Sequence, residues 1–365
     1  MPTFANLVNL AKKKLTFFIQ EQLENPSIAW LIITTPLKLL FYFIILLRSF
    51  KKRHKVPMTC SLCVGNITLG GNGKTPFILK LIEDLMLFNP AVISKGYKRK
   101  QKGTFSLKNC QEIDLVGDEP LLIHSKFPKV DGFVTDSRYH FLEKEKPTFS
   151  IFDDGLQDSK LDYDFKIALF DKIRFSKPQN LLPQGNFREP IASLKKVDLI
   201  GIKGPIKLDE FLQIKCELLK KKIKTPVMSF FLSPIGFKPL NEKKFDINKK
   251  SALFCGIGNP KSFQQTLSNM KIIIDDQLIL PDHETLKPSE MENWINQLKQ
   301  KQISQIICTE KDAIKLSSLE NLSIALFSLE TETILEHGIQ EYQHFIEKLK
   351  RNIITTVKER DQSNG

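Results

Sequence analysis

The stretch "VGNITLGGNGKTPF", Val64 to Phe77, decides how the rest of the chain is read. It lies between a short apolar run, "MTCSLCVGN", and "TPFILKLIEDLMLF", whose apolar residues recur at helical spacing; the order is strand, glycine turn, helix. Gly70, Gly71 and Gly73 let the backbone aim successive N–H groups inward at an anion. Lys74 follows, placed to reach the terminal phosphates of a nucleotide, and Thr75 offers a hydroxyl to magnesium. Pro76 falls in the first helical turn, where a missing N–H costs nothing, and the start of the helix adds partial positive charge. One position departs from G-x-x-x-x-G-K-[ST]: Thr68 stands where the first glycine is expected. A small polar residue works there if its backbone angles are ordinary. A plain glycine turn is the other reading of the same letters. On the first reading, Thr68, Leu69, Gly70, Gly71, Asn72, Gly73, Lys74 and Thr75 form a nucleotide-binding loop.

Working outward, more short apolar runs alternate with helical stretches. "AVISKGYKR", "FSIFDDG", "FKIALFD" and "KVDLIGIKG" predict strands of a mostly parallel sheet covered on both faces. A second series follows a lysine-rich stretch: "SALFCGIGNPKSFQQTLSNM", "KIIIDDQLIL", "PSEMENWINQLKQ" and "ISQIICTEKDAIKL". The expected organisation is an N-terminal helical segment over 1–55, a P-loop domain over 56–225, a smaller α/β domain over 226–350 and a flexible tail over 351–365.

The chain has 365 residues, of which 41% are apolar and 26% charged, ordinary for a globular protein, but its net charge is +13. Such a balance suits phosphorylated substrates or anionic membrane surfaces; plain lysine-rich usage is the other account. Clustered arginine interleaved with aromatics, which a nucleic-acid binder would show, is missing, so no nucleic acid is expected. The six cysteines are scattered and read as reduced thiols. Cys60 and Cys63 form a C-x-x-C with no second pair near it, and are expected to pack in a buried strand.

"AWLIITTPLKLLFYFIILL", Ala29 to Leu47, approaches the ~20 residues of a spanning helix, although Pro36 and Lys38 interrupt it. Basic residues flank it on both sides. With the amphipathic "FANLVNLAKKKLTFFIQEQLE" before it, the segment reads as a membrane-association module, either interfacial or a kinked span; two buried core helices are the other reading. Arg48 to Lys55 would then face anionic headgroups. It begins too far from Met1 for a cleavable signal.

Acidic partners are needed near a P-loop. "FDDG" puts Asp153 and Asp154 at the end of an apolar strand, the usual place for a metal-binding carboxylate, and adjacent buried carboxylates repel unless a cation joins them. "VGDEP" supplies Asp118 and Glu119; capping a helix is the alternative use of Asp118. His283, in "LPDHETL", is either a loop residue with a function or simply solvated. Arg188, in "LLPQGNFREP", can grip phosphate or make a surface salt bridge. The guanine signature N-K-x-D is absent, so a GTPase switch is disfavoured.

Taken in order, "VGNITLGGNGKTP", "VISKGY", "VGDEPLLI", "FDDGLQD", "LLPQGNFREP", "CGIGNPKSF", "LPDHETL" and "TEKDAIKL" resemble the tetraacyldisaccharide 4'-kinase family of the lipid A pathway, over about Val64 to Leu316. That family tolerates threonine at Thr68. It usually has Ser or Thr at Asn72, Arg at Lys95, Phe at Leu156, His at Asp158, Pro-Leu at Asn186-Phe187 and a second His at Glu284. The resemblance implies transfer of the ATP γ-phosphate to the 4'-hydroxyl of a lipid-linked disaccharide 1-phosphate. It implies ATP and Mg²⁺ as cofactors, with Lys74 on the phosphates and Thr75, Asp153, Asp154 and Glu189 around the metal. Asp118 looks like the base and His283 its partner, reaching over from the second domain. Arg138, Gln157 and Arg188 are implied as substrate or phosphate contacts. The implied location is the cytoplasmic face of the inner membrane, held there peripherally or by a single anchor, with no obligate protein partner. A membrane-associated P-loop ATPase or nucleotide switch shares the loop but needs no base near an acceptor, so Asp118 separates the two.

Overall fold

The computed structural model describes residues 15, 18–96, 99, 101–175, 177–241, 244–281, 286–316 and 322–364. His283, and most of the Phe4–Glu24 amphipathic stretch, lie outside the described residues.

The first half contributes strands β1 (Cys60–Asn66), β2 (Ala91–Ser94), β3 (Phe105–Ser106), β4 (Asp131–Val134), β5 (Phe149–Asp153), β6 (Phe165–Asp171) and β7 (Leu199–Lys203). The second contributes β8 (Val227–Pro239), β9 (Ser251–Cys255), β10 (Ile274–Ile279), β11 (Gln305–Thr309) and β12 (Ala325–His337). All join one twelve-stranded sheet in the order β10-β9-β11-β12-β8-β7-β6-β1-β5-β2-β4-β3. Only β8/β12 and β3/β4 pair antiparallel. Every residue of β1, β2, β5 and β9 is buried, which is why these runs are apolar without alternation: both faces are covered.

Helix α1 (Ile28–Ser49) precedes the sheet, and α2 (Lys74–Leu85) follows β1. Phe77, Ile78, Leu81, Ile82 and Leu85 share one stripe of α2 and pack on Leu62, Val64, Ile151 and Ile167. Cys60 belongs to that face, whereas Cys63 belongs to the opposite one with Phe152 and Tyr163. Alternation along a strand thus separates the two thiols, and both are free. Burial pushes the Cys63 thiol up to about 12. Further helices are α3 (Ile113–Val116), α4 (Asp118–Lys126), α5 (Arg138–Glu145), α6 (Leu208–Lys220), α7 (Pro260–Asn269), α8 (Pro288–Gln300), α9 (Glu310–Leu316) and α10 (Ile339–Asn364).

The sheet does not break at the boundary expected near 226. β8 starts in the first half, pairing with β7 over Val227–Phe230, and ends beside the start of β12. The sheet therefore runs without a break through a β8/β12 ribbon. The smaller unit has its own core, around Phe254, Met291, Leu298, Ile306 and Leu326. Helix α10 returns to the first half. Tyr342, Phe345, Ile346, Leu349 and Ile353 recur at helical spacing and join the α2 core, and the Tyr342 hydroxyl donates to Asp84 Oδ2 at 2.7 Å. The segment expected as a flexible tail from 351 is helical to Asn364. Its apolar stripe continues to Ile353, and the Arg360 guanidinium bonds the Thr148 hydroxyl and, at 2.6 Å, the Lys146 carbonyl.

Helix α1 is long and apolar enough to cross a membrane, and 11% of its most apolar window is buried. Ile32, Ile33, Leu39, Leu40 and Phe43 are exposed. It meets the body through a few apolar and polar contacts: Ile45 is buried and Phe41 half-buried against the cluster of Ile67, Leu181 and Phe187. The Trp30 indole donates to the Pro183 carbonyl at 3.0 Å, and Gln184 Nε2 donates to the Leu31 carbonyl at 2.7 Å.

Truncation after Lys350 removes Ile353, which is 1% exposed, and the Arg360 contacts. Urea unfolding should show a loss of about 1.5–3 kcal/mol, the worth of one buried isoleucine; an unchanged midpoint would restore the flexible tail.

Candidate active site

Parallel strands end on one edge, and there the loops after β1, β2, β5 and β6 converge, as ligand sites in open α/β sheets do. The glycine loop leaves β1 at Asn66. Thr68 is fully buried and is not among the residues with positive φ, so glycine is not required there. Its hydroxyl donates to Asn72 Oδ1 at 3.2 Å. Asn72 is the internal brace of the turn. Its Nδ2 donates to the Gly70 carbonyl at 2.9 Å, and its Oδ1 also accepts the Asp171 N–H, at 3.0 Å, from the end of β6. Its exposure is 2%; the amide therefore shapes the loop. Leu69 N–H donates to the Asn186 carbonyl at 2.8 Å, tying the loop to the 181–189 segment. Gly73, at φ +77°, caps α2 in the left-handed conformation that favours glycine, while Gly71 has open space where a side chain would be. Lys74 and Thr75 open the helix, both half-buried.

Asp153 ends β5 and is 6% exposed. Ser94, at the end of β2, donates to its Oδ2 at 2.9 Å, while Oδ1 is buried with no hydrogen-bond partner. Burial, then the Glu119 carboxylate, pushes its pKa up to about 6, and Lys74 opposes them. Asp154, at φ +53°, goes the other way. Burial raises its pKa, but Lys74, with Nζ 4.0 Å from Oδ1, and Arg188, at 3.3 Å from Oδ2, outweigh burial and hold it below the usual range. Arg188 Nη1 also donates to Asn66 Oδ1 at 2.9 Å.

Arg138 is not placed as a phosphate contact. At 2% exposure it is spent inside the protein, donating to the Asp153 and Asp154 carbonyls and lying 3.8 Å from Asp158. It is the first residue of α5, which packs behind β5, so it braces the turn that carries both carboxylates. Gln157 likewise donates inward, to the Asn66 carbonyl at 2.8 Å. Glu189 is not gathered with the two aspartates: its carboxylate is ion-paired to Arg48 at the end of α1. Burial raises its pKa against the pull of Arg48.

Asp118 opens α4 after Gly117, at φ +90°. It is 7% exposed. It does not cap the helix, whose N-cap is Gly117; its Oδ1 accepts the adjacent Glu119 N–H at 3.0 Å. Oδ2 lies 3.7 Å from both Lys311 and Lys315 of α9, residues to which sequence reading gave no role. Glu119 was named only as an acidic neighbour of Asp118, and Ser94 was unassigned. Their signal was present, each standing beside a quoted motif residue or at a strand end.

The donor set suits a magnesium ion. Asp153 offers an orphaned buried carboxylate oxygen, and Thr75 a hydroxyl at the helix start. Among the described residues no cluster of three or more His, Cys, Asp or Glu could hold a metal alone. That matches an ion that takes one or two carboxylates and fills its remaining positions with phosphate oxygens and water.

The model of the family described as tetraacyldisaccharide-1-P 4'-kinase matches residues 30–351. The tetraacyldisaccharide 4'-kinase of Porphyromonas gingivalis W83 is 33% identical over 277 residues, covering 70% of this chain and 76% of its own length. That of Aquifex aeolicus is 30% identical, covering 78% and 88%. The crystal structure of LpxK from Aquifex aeolicus in complex with ATP superposes with a TM-score of 0.66 at 27% identity, covering 88% of this chain and 98% of that one.

A raised carboxylate pKa carries a stability sign. Between the ordinary 3.8 and about 6, folded Asp153 keeps a proton that the unfolded chain has released, so stability falls as pH rises through that window. In metal-free buffer, Asp153→Asn should therefore gain stability over wild type across pH 4 to 6, reaching on the order of 2–3 kcal/mol above it. Urea unfolding at stepped pH checks this; a difference independent of pH would refute the buried, repelled carboxylate.

Proposed function

The chain belongs to the tetraacyldisaccharide-1-P 4'-kinase family, and from that premise we propose how its residues carry out the transfer. The protein is a phosphotransferase of lipid A synthesis that phosphorylates the 4'-hydroxyl of a tetraacyldisaccharide 1-phosphate. ATP is the donor, in keeping with the ATP held by the solved relative. Its phosphates would rest on the backbone N–H groups of Gly70–Gly73 and the head of α2, with Lys74 on the terminal pair. Such transfer asks for positioning and charge neutralisation more than covalent chemistry.

Thr75 and Asp153 would hold Mg²⁺, which when bound neutralises charge on the phosphates and fixes their orientation. Asp154 is tied to Lys74 and Arg188, and its part is to place those two cations against the phosphates. Asp118 is the proposed base for the sugar hydroxyl. The observation that carries this is its position: a buried carboxylate at the head of α4, with Oδ2 3.7 Å from Lys311 and Lys315. His283, outside the described residues, keeps the role of its partner as a proposal. Glu189 is proposed to order the segment between α1 and the site through Arg48 rather than to bind metal.

The exposed apolar face of α1 and the basic run Arg48–Lys55 would hold the enzyme to the cytoplasmic face of the inner membrane. There the acyl-anchored acceptor presents its sugars at headgroup level.

Incubation with Mg·ATP and the tetraacylated disaccharide 1-phosphate should yield a bisphosphorylated lipid; no product while ATP still binds would overturn the assignment. Asp118→Ala should cut turnover by ~10²–10⁴ with ATP affinity nearly unchanged. Near-normal turnover would remove Asp118 from the mechanism.

A further inference from the structure

Two motifs have no part in the mechanism above: "CGIGNP" after β9 and "TEKDAIKL", which spans the end of β11 and α9. In the fold they meet. Asp312 has no exposed side-chain surface, and its Oδ1 accepts the Gly256 N–H at 3.1 Å while its Oδ2 accepts the Thr309 hydroxyl at 2.7 Å. The Lys315 side chain is 4% exposed; its Nζ donates to the Gly256 carbonyl at 3.0 Å and to Asp312 Oδ1 at 3.2 Å. The smaller unit thus builds a rigid socket around one buried ammonium. Beyond the socket, that ammonium lies 3.7 Å from Asp118 Oδ2, in the other half of the sheet.

Lys311, one turn earlier on α9, lies at the same distance of 3.7 Å from Asp118 and bonds Glu119 Oε1 at 3.1 Å. We propose that Lys315, seconded by Lys311, is the positioning residue for Asp118, so that α9 delivers from the smaller unit the cations that fix the base carboxylate at the head of α4. This rests on the reading of Asp118 as the base.

Three considerations favour positioning over mere adhesion. A buried ammonium is costly unless well paired, and Asp118 is a partner that the other half of the sheet brings to Lys315. Adhesion between α4 and α9 is already supplied at their other ends by Lys126, 2.5 Å from Glu310; Lys126 also lies 2.7 Å from Glu330 of β12. The two oxygens of Asp118 are also held by different elements: Oδ1 by the Glu119 N–H of its own helix and Oδ2 by α9. Such a two-sided hold sets the carboxylate's direction as well as its place, and errors of ~1 Å at a reacting group cost up to ~10²-fold.

A double-mutant cycle tests this. Lys315→Met should lower kcat by about 10- to 100-fold with the KM for ATP unchanged. In an Asp118→Asn background the same substitution should change kcat by less than about twofold, because a residue acting through Asp118 has nothing left to act on. An equal loss in both backgrounds would overturn the proposal and leave Lys315 a structural residue. Lys311→Met, at a position 16% exposed, provides the same cycle if Lys315→Met does not fold. Asp118→Asn alone with wild-type kcat would remove the base, and the inference with it, so the two failures are distinguishable.

Discussion

Two adjacent carboxylates, buried Asp153 and half-buried Asp154, sit at the end of a central strand, and the surrounding structure answers the cost of holding them there. Adjacent buried charges of one sign repel and are poorly solvated. For Asp154 the answer lies within the protein: Lys74 from the glycine loop and Arg188 from the 181–189 segment hold it ionised. For Asp153 the answer is incomplete. Ser94 satisfies one oxygen and nothing among the described residues satisfies the other. Arg138 grips the carbonyls of both residues from behind, which fixes the turn while leaving the side chains facing the cleft. On the proposed mechanism, the place of Mg²⁺, the aim of Lys74 and the approach of the acceptor would all follow from that turn.

The 181–189 segment links this turn to the front of the chain. Leu69 and Arg188 tie it to the glycine loop and to Asp154, while Pro183, Gln184 and Glu189 tie it to α1. One loop therefore touches both the helix with the exposed apolar face and the site of phosphoryl transfer. On the proposed membrane placement of α1, that geometry would set the height of the site above the lipid.

Much of this was legible in the sequence because it depends on local rules. Strands buried on both faces read as apolar runs, the glycine loop declared itself by spacing, and Asp153-Asp154 stood at a strand end. Thr68 looked like a defect only against a pattern; its ordinary backbone and its bond to Asn72 explain why glycine is not needed. What could not be read was pairing across long sequence separation. Glu189 resembles a metal ligand until Arg48, from a distant helix, takes its carboxylate. Arg138 resembles a phosphate grip until burial commits it to two backbone carbonyls. Helix α10 looked like a polar tail beyond 350 because only Ile353 carries its apolar stripe past that point. The lysines of "TEKDAIKL" gained a partner only when the sheet brought α9 beside α4.

The central claim is that the bare oxygen of Asp153 is the seat of the metal on which nucleotide binding depends. Calorimetric titration of an ATP analogue with a non-transferable γ-phosphate, with and without Mg²⁺, into wild type and Asp153→Asn tests it most directly. The account predicts that Mg²⁺ tightens binding to wild type by about tenfold or more, some 1.4 kcal/mol, and has little effect on the variant. The same Mg²⁺ dependence in both proteins would contradict it.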